Sequence, residues 1–225
     1  MSVALICGVS EGLGSALCDT FAAKGMVVAG LSRTASPLQG DQQHAYQCDL
    51  NKPRHVANVV DKIESEHGPI EVMVHNIAAF NYSSFLGVAL EDFEQAWNAS
   101  TRTAFIAAQQ VLPRMLDRGR GSLLYSGATA SLRGSAKFSA LAAAKFSLRG
   151  LAQSLAREFG PQGIHVAHVI LDGVIWCNWT RERFSVEKNH CIDPKAIAAV
   201  YVQLHEQPRS AWTQEIDLRP AGEKF

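Results

Sequence analysis

Three glycines near the start of the chain constrain its fold more than any other feature. Gly8, Gly12 and Gly14 follow an apolar run from Val3 to Ile6, which is long enough for a central strand and too short for a helix. The residues that come next recur at helical spacing: Leu13, Ala16, Leu17 and Phe21. A strand, a glycine turn and a helix open a mononucleotide-binding unit, in which the first helical N–H groups hold a pyrophosphate. We therefore expect a nucleotide site at this turn.

Strands and helices alternate along the rest of the chain. Further apolar runs predict strands at 26–31, 44–48, 70–74, 123–125, 163–171 and 215–218. Amphipathic stretches predict helices around 56–63, from about 90 to 119, at 136–159 and at 196–204. In the second of these helices, Trp97 and Phe105 are expected on the inner side. This alternation predicts an α/β fold with a doubly wound parallel sheet, Rossmann-like, in a single domain spanning residues 1–225.

The carboxyl ends of parallel strands meet at one edge of such a sheet, and ligands bind there. Residues after the predicted strands are therefore candidate ligands of a nucleotide cofactor. The expected cofactor contacts are Gly8, Ser10, Gly12, Leu13, Gly14, Ser32, Arg33, Asp49, Leu50, Asn76, Ala78 and Gly173.

Composition argues against several classes of protein. Lys and Arg together number 21, as do Asp and Glu, so no net field attracts nucleic acid or an anionic membrane. No apolar run approaches the ~18 residues that a membrane span needs, and the first strand begins too early to leave room for a signal peptide. The five cysteines are scattered without a C-x-x-C pair, as in a cytoplasmic protein with reduced thiols.

The chain resembles the short-chain dehydrogenase/reductase family over essentially its whole length. The glycine motif of the family matches the turn described above, with Cys7 in place of the usual preceding threonine. Of the family's N-N-A-G motif, Asn76 and Ala78 remain, and Asp172 stands in place of a proline before Gly173. The resemblance implies that Asp49 contacts the adenine of a nicotinamide cofactor.

The end of the second strand favours NADP(H) over NAD(H). A 2′-hydroxyl is usually held by an acid at this position, whereas a 2′-phosphate is held by a cation. Here Ser32 and Arg33 occur without a nearby acid, and a guanidinium matches phosphate geometry in a bidentate manner. Glu11 argues mildly against NADP(H), because phosphate-preferring relatives tend to carry a basic residue there. The alternative interpretation is that Arg33 is a solvent-exposed charge in a loop and binds no cofactor.

The resemblance fails at the residues that perform carbonyl reduction in the family. Its Y-x-x-x-K pattern falls on Leu141 and Lys145, so the lysine is present and the tyrosine is not. The serine position is Ala128 and the asparagine position is Ser100. The resemblance implies that Lys145 binds the nicotinamide ribose. Reading Lys145 as a surface residue is the alternative.

Other polar residues are candidates to replace the missing groups. Thr129 and Ser131 can orient a carbonyl or simply support a tight turn, and Asp172 can act as an acid or base or cap a turn. His75 reads as a core histidine. A metal site is not expected, because His165 and His168 lie three apart in a strand and point to opposite faces.

Residues 176–190 are expected to form an irregular segment, and the stretch at 174–192 resembles a substrate lid. Its aromatic residues predict an apolar pocket, or else plain packing or a subunit contact: Trp176, Trp179 and Phe184. Apolar faces on the outer helices and on a terminal strand that carries Trp212 resemble the surfaces through which relatives form homodimers and homotetramers.

Three functional hypotheses remain open. The first is an atypical NADP(H)-dependent oxidoreductase of an unknown small-molecule substrate. The second is a cofactor-binding sensor or regulatory subunit without turnover. The third is a structural or partner-binding protein that no longer binds the cofactor. The presence of residues suited to a cofactor argues against this third hypothesis: the three glycines, Asp49, Asn76 and Lys145.

Overall fold

Seven parallel strands build the sheet of the computed structural model, which describes residues 2–34 and 38–222. The spatial order β3-β2-β1-β4-β5-β6-β7 places β1 and β4 side by side at the point where the order reverses. The strands are β1 (Val3–Cys7), β2 (Val27–Ser32), β3 (Gln43–Gln47), β4 (Ile70–His75), β5 (Gly121–Ser126), β6 (Ile164–Leu171) and β7 (Glu215–Leu218). The predicted α/β fold with a doubly wound sheet is confirmed.

Helices cover both faces of this sheet. They are α1 (Leu13–Ala23), α2 (Pro53–His67), α3 (Leu90–Trp97), α4 (Thr103–Asp117), α5 (Ser139–Phe159), α6 (Asn178–Phe184) and α7 (Pro194–His205). None of the helices in the described part of the chain is long and apolar enough to cross a membrane.

Two cores form because side chains alternate along each strand. On β1, Leu5 belongs to a core with residues of α2, α4 and α5, whereas Ile6 belongs to a core with residues of α1 and α7. All residues of β1 and β6 are buried. The helices therefore hold the sheet from both sides and leave its carboxyl edge for the site.

The long helix predicted from residue 90 is interrupted. A π-helical turn, Asn98–Arg102, separates α3 from α4. Trp97 and Phe105 were expected on the inner side, and this expectation is wrong, because they are 42% and 46% exposed. The extra residue of a π turn shifts the phase of a helix, so one apolar stripe cannot be extrapolated across it.

Three other expectations need correction. The segment at 176–190, expected to be irregular, contains the two-turn helix α6. The helix predicted from residue 136 begins at Ser139. Trp212 lies before β7 rather than in a strand, and it stacks on His165 with ring centroids 4.9 Å apart.

Candidate active site

The glycine turn is packed so closely that side chains do not fit. Gly8 has φ +98°, and a Cβ there would lie 2.7 Å from the carbonyl oxygen of Asn76. A Cβ on Gly14 would lie 2.5 Å from the carbonyl oxygen of Gly8. Helix α1 begins at Leu13 without a side-chain cap. The N–H of Ser15 donates to the carbonyl of Ser10 (3.1 Å), and among the described residues those of Leu13 and Gly14 are left for a ligand, as in an anion-binding turn.

Asn76 ties the end of β4 to this turn. Its Nδ2 donates a hydrogen bond to the carbonyl oxygen of Gly8 (3.3 Å), and its backbone N–H donates to Cys7 (2.9 Å). The point where strand order reverses is therefore fixed by contacts between the two central strands. Asn76 and Ala78 also line the adjoining cavity.

The end of β2 presents one exposed cation. The carbonyl of Arg33 accepts a hydrogen bond from Gln47 Nε2 (3.0 Å), which holds the backbone. Within residues 2–34 and 38–222 the Arg33 guanidinium has no partner. Ser32 donates its hydroxyl hydrogen to the carbonyl of Thr34. These contacts leave the Arg33 side chain exposed to solvent at the carboxyl edge.

The residues after β3 fill two different roles. Asp49 Oδ1 accepts a hydrogen bond from the N–H of Asn51 (3.1 Å), and Lys52 Nζ lies 3.7 Å from Oδ2. Leu50 is buried in the core. Asp49 is half-buried at the edge, whereas the side chain of Leu50 serves packing.

Lys145 projects from α5 toward the end of β5. Its Nζ donates to the carbonyl oxygen of Ser126 (2.7 Å), and the residue is 3% exposed. The interpretation of Lys145 as a surface residue is therefore wrong. Burial lowers its pKa from 10.5 to about 8. The lysine thus carries a proton that it can lose near neutral pH.

A cavity of about 510 Å³ extends from Lys145 toward α6. Its lining includes Asn76, Ala128, Thr129, Arg133, Leu141 and Gly173. The positions at which the family has tyrosine and serine are therefore apolar parts of the wall. Since Leu141 and Ala128 carry no exchangeable proton, neither contributes to acid–base chemistry.

Asp172 and Thr129 form a pair at one side of the cavity. The Thr129 hydroxyl donates to Asp172 Oδ1, and Arg219 Nη2 lies 3.2 Å from Asp172 Oδ2. Asp172 is 4% exposed, and both of its carboxylate oxygens are engaged by these partners. This pairing supports a structural role more than an acid role. Ser131 accepts a hydrogen bond from the N–H of Ala128 (3.1 Å), which supports a turn.

Other buried polar side chains lie close to the site. His75 is fully buried, and a hydrogen bond joins its Nε2 to Thr103 Oγ1 (2.8 Å). Burial lowers the pKa of His75 to about 3, so it stays neutral in the core, as the sequence indicated. The hydroxyl of Ser100, in the π turn, is buried without a partner among the described residues.

The segment at 174–192 packs onto the glycine turn. A Cβ on Gly12 would lie 3.1 Å from the Cβ of Cys177, and the N–H of Asn178 donates to Glu11 Oε1 (3.2 Å). Helix α6 then carries Trp179 and Phe184 over the cavity. One segment thus contacts the turn and closes the cavity.

Sequence reasoning missed several cavity residues. Phe80 and Phe138, in loops after β4 and before α5, line the cavity, and Arg219, which follows β7, contacts Asp172 in its wall. Nothing in their local spacing indicated the site, because their positions depend on long-range packing. In the described ranges, no three His, Cys, Asp or Glu side chains are grouped as metal ligands.

Comparisons with known proteins agree with this geometry. A family model described as short chain dehydrogenase matches residues 2–185. An uncharacterized oxidoreductase of Schizosaccharomyces pombe is 29% identical over 182 residues, covering 81% of this chain and 70% of that protein. The 3-oxoacyl-acyl-carrier-protein reductase FabG of Escherichia coli is 26% identical over 185 residues, covering 80% and 75%.

Solved structures give the same result. A short-chain dehydrogenase from Rhodopseudomonas palustris is 31% identical, with a TM-score of 0.84 covering 97% of this chain and 98% of that one. A closed form of serine dehydrogenase complexed with NADP+ has a TM-score of 0.89, covering 99% and 96%, at 18% identity. The second likeness concerns the fold.

Proposed function

The chain belongs to the short chain dehydrogenase family, and from that premise we propose that it is an atypical NADP(H)-binding oxidoreductase. It binds the cofactor along the carboxyl edge of the sheet and lacks the usual tyrosine acid. The proposal rests most directly on Lys145, which is buried beside the cavity with its charged end held by the carbonyl of Ser126.

The residues at the edge fit such a cofactor. A Cβ on Gly14 would lie 2.5 Å from the Gly8 carbonyl oxygen, so this turn requires a glycine, and the uncapped start of α1 suits a pyrophosphate. Arg33 would pair with a 2′-phosphate and Asp49 would contact the adenine. Lys145 would donate to the ribose hydroxyls with the hydrogens that it does not give to Ser126. We propose NADP(H) over NAD(H) because of Arg33.

The proton for carbonyl reduction must come from an unusual source. When bound, NADPH supplies a hydride to a substrate carbon. Among the described cavity residues, Asp172 is paired with Arg219, and Leu141 has nothing to donate. The ammonium of Lys145, with a pKa of about 8, is the lining group that can lose a proton near neutrality. We assign proton donation to Lys145 or to the substrate itself.

A second candidate function is that of a cofactor-binding sensor without turnover. Two observations favour it. Leu141 and Ala128 remove acid help that is typically worth about 10²–10⁴-fold in rate, and the contacts of Glu11 and Gly12 with the segment at 177–178 join the glycine turn to α6. A cofactor that rearranges the turn would thereby move a surface helix, which a partner can detect.

Calorimetric titration with NADPH and NADH tests the cofactor assignment. We expect NADPH to bind about tenfold or more tightly than NADH, and Arg33→Ala to abolish that preference. Arg157→Ala is the matched control. Arg157 lies near the C-terminal end of α5, where its side chain donates a hydrogen bond to the carbonyl of Gln153 in the same helix. Equal affinities, or a preference that survives Arg33→Ala, would show that Arg33 does not select the cofactor.

A further inference from the structure

Four aromatic rings surround the end of the cavity that lies away from Lys145. Phe80 packs edge-to-face against Phe138, Trp179 and Phe184, with ring centroids 6.0, 6.0 and 5.6 Å apart. All four side chains line the cavity, and three of them are more than a third exposed. We call these four residues the aromatic mouth. It offers ring faces and edges to a molecule that enters the cavity.

Three cations stand around this mouth. The Arg183 guanidinium lies 5.1 Å from the ring centre of Phe80 and 5.3 Å from that of Trp179. Lys137 Nζ lies 5.4 Å from the ring centre of Tyr82, and Tyr82 in turn packs against Phe138. Arg133 lines the cavity directly. We call Arg133, Lys137 and Arg183 the cationic rim.

Few carboxylates among the described residues lie near the cationic rim to neutralise its charge. Among the described lining residues, Asp172 is the one carboxylate, and it is committed to Thr129 and Arg219. Glu182, on α6, lies 3.9 Å from Arg181 instead. The guanidinium of Arg133 makes no hydrogen bond or ion pair within residues 2–34 and 38–222. An unpaired cation at the wall of an apolar cavity is suited to an anionic ligand.

We propose that the aromatic mouth and the cationic rim bind an aromatic carboxylate. The ring enters among Phe80, Trp179 and Phe184, and the carboxylate meets Arg133. This proposal rests on the proposed function in one respect, that the cofactor occupies the end of the cavity near Asn76 and Lys145. The cavity of about 510 Å³ lies within the range of sites for small organic ligands.

The wall favours a ring over an alkyl chain. Rings already arranged edge-to-face gain a further contact of the same kind from an incoming ring, beyond the area that is buried. The Arg183 guanidinium, stacked on the outer faces of Phe80 and Trp179, holds those rings in place. A saturated chain gains only the free energy of burying its apolar surface. The ligand is therefore expected to be planar as well as charged.

Three probes separate the contribution of the charge from that of the aromatic ring. The probe 2-naphthoate is aromatic and charged, 2-naphthamide is aromatic and neutral, and decanoate is charged and aliphatic. Their affinities are measured by calorimetry and by quenching of tryptophan fluorescence, with and without saturating NADPH. We expect 2-naphthoate to bind about tenfold more tightly than 2-naphthamide, as for a hydrogen bond to a charged group. It should also bind more tightly than decanoate.

Variants assign the effect to residues. Arg133→Ala should make 2-naphthoate and 2-naphthamide equal, and Trp179→Ala should weaken both naphthyl probes more than decanoate. Arg157→Ala, which removes the same charge far from the cavity, should leave all affinities unchanged. Equal binding of acid and amide to the wild type, tighter binding of decanoate, or an equal effect of the two arginine substitutions would overturn the proposal.

Failure of the proposed function would look different. If NADPH does not bind, its own titration is flat, while the naphthyl probes measured without NADPH still report on the mouth. If NADPH binds and the probes do not discriminate, the cofactor assignment survives and the ligand class is wrong.

Discussion

The two ends of the site differ in what they contain. At the end formed by β1 and β4, glycines, an amide and an uncapped helix are held by close contacts, such as the 3.3 Å hydrogen bond from Asn76 to Gly8. At the end formed by β5 and α5, Leu141 and Ala128 line the cavity at the positions that the sequence resemblance assigns to the family's proton-transfer groups. In the proposed function, cofactor binding and proton transfer share Lys145 and otherwise depend on different residues, so most of one set can be lost while the other is kept.

Lys145 lies between these two ends and belongs to both. Its hydrogen bond to Ser126 holds it in the place of the proposed ribose contact, and its lowered pKa gives it a proton to lose. A protein that only binds the cofactor needs the first property. An oxidoreductase needs both, and this makes Lys145 the residue on which the two candidate functions diverge.

The largest effect is expected from restoring the missing groups. Leu141→Tyr combined with Ala128→Ser should raise NADPH-dependent reduction of a simple aldehyde by about 10²–10⁴-fold. Leu141 lines the cavity, into which the larger ring would extend. The rate is measured from NADPH absorbance.

Adding Lys145→Met to that double variant provides the control, and it should return the rate to background. If the double variant folds and binds NADPH but remains inactive, the substrate end differs from the family by more than these two side chains.

The next effect concerns the burial of Lys145. Because its pKa falls from 10.5 to about 8 on folding, the unfolded chain holds the proton more tightly. Below pH ~8 the buried charge lowers the free energy of unfolding, and above pH ~10.5 this cost vanishes. Relative to Lys145→Met, the wild type should therefore gain up to about 3 kcal/mol as pH rises between these limits.

Denaturant unfolding of both proteins at several pH values measures this difference. Comparing the two proteins cancels the titration of other groups, such as the buried cysteines. A difference that does not change with pH would mean that Lys145 keeps an ordinary pKa, and the proton-donor assignment would then lose its physical basis.

Substitution of a glycine should destabilise the protein where the glycine is closely packed, as it is in the glycine turn. Gly14→Ala places a Cβ 2.5 Å from the Gly8 carbonyl oxygen, so it should cost ~1–3 kcal/mol of stability and weaken NADPH binding. Gly150→Ala, in α5, is the matched control. No heavy atom lies within 4 Å of that Cβ, and the helix should gain ~0.5–1 kcal/mol. Equal effects on thermal unfolding would contradict the close contacts at the turn.

The cofactor end could be predicted from sequence, whereas much of the substrate end could not. The turn at Gly8–Gly14 is local, and a strand, three glycines and a helix suffice to identify it. The pairing of Asp172 with Arg219 joins residues that follow two different strands, and the contact of Phe80 with Trp179 joins a loop to helix α6, about a hundred residues later. Such contacts depend on the complete fold. The misplaced faces of Trp97 and Phe105 have a local cause, the extra residue of the π turn.

The smallest predicted effect tests whether the two ends communicate. Glu11 Oε1 accepts a hydrogen bond from the N–H of Asn178, which joins the glycine turn to the start of α6. Glu11→Ala should raise amide hydrogen exchange in α6 by a factor of about two to ten, since one exposed hydrogen bond is lost. Glu11→Gln keeps an acceptor oxygen and should leave exchange near the wild-type rate. NADPH should slow exchange in α6 in the wild type and less so in Glu11→Ala. If both variants match the wild type with and without NADPH, the turn and the lid act independently, and the contact that supports a sensor has no energetic weight.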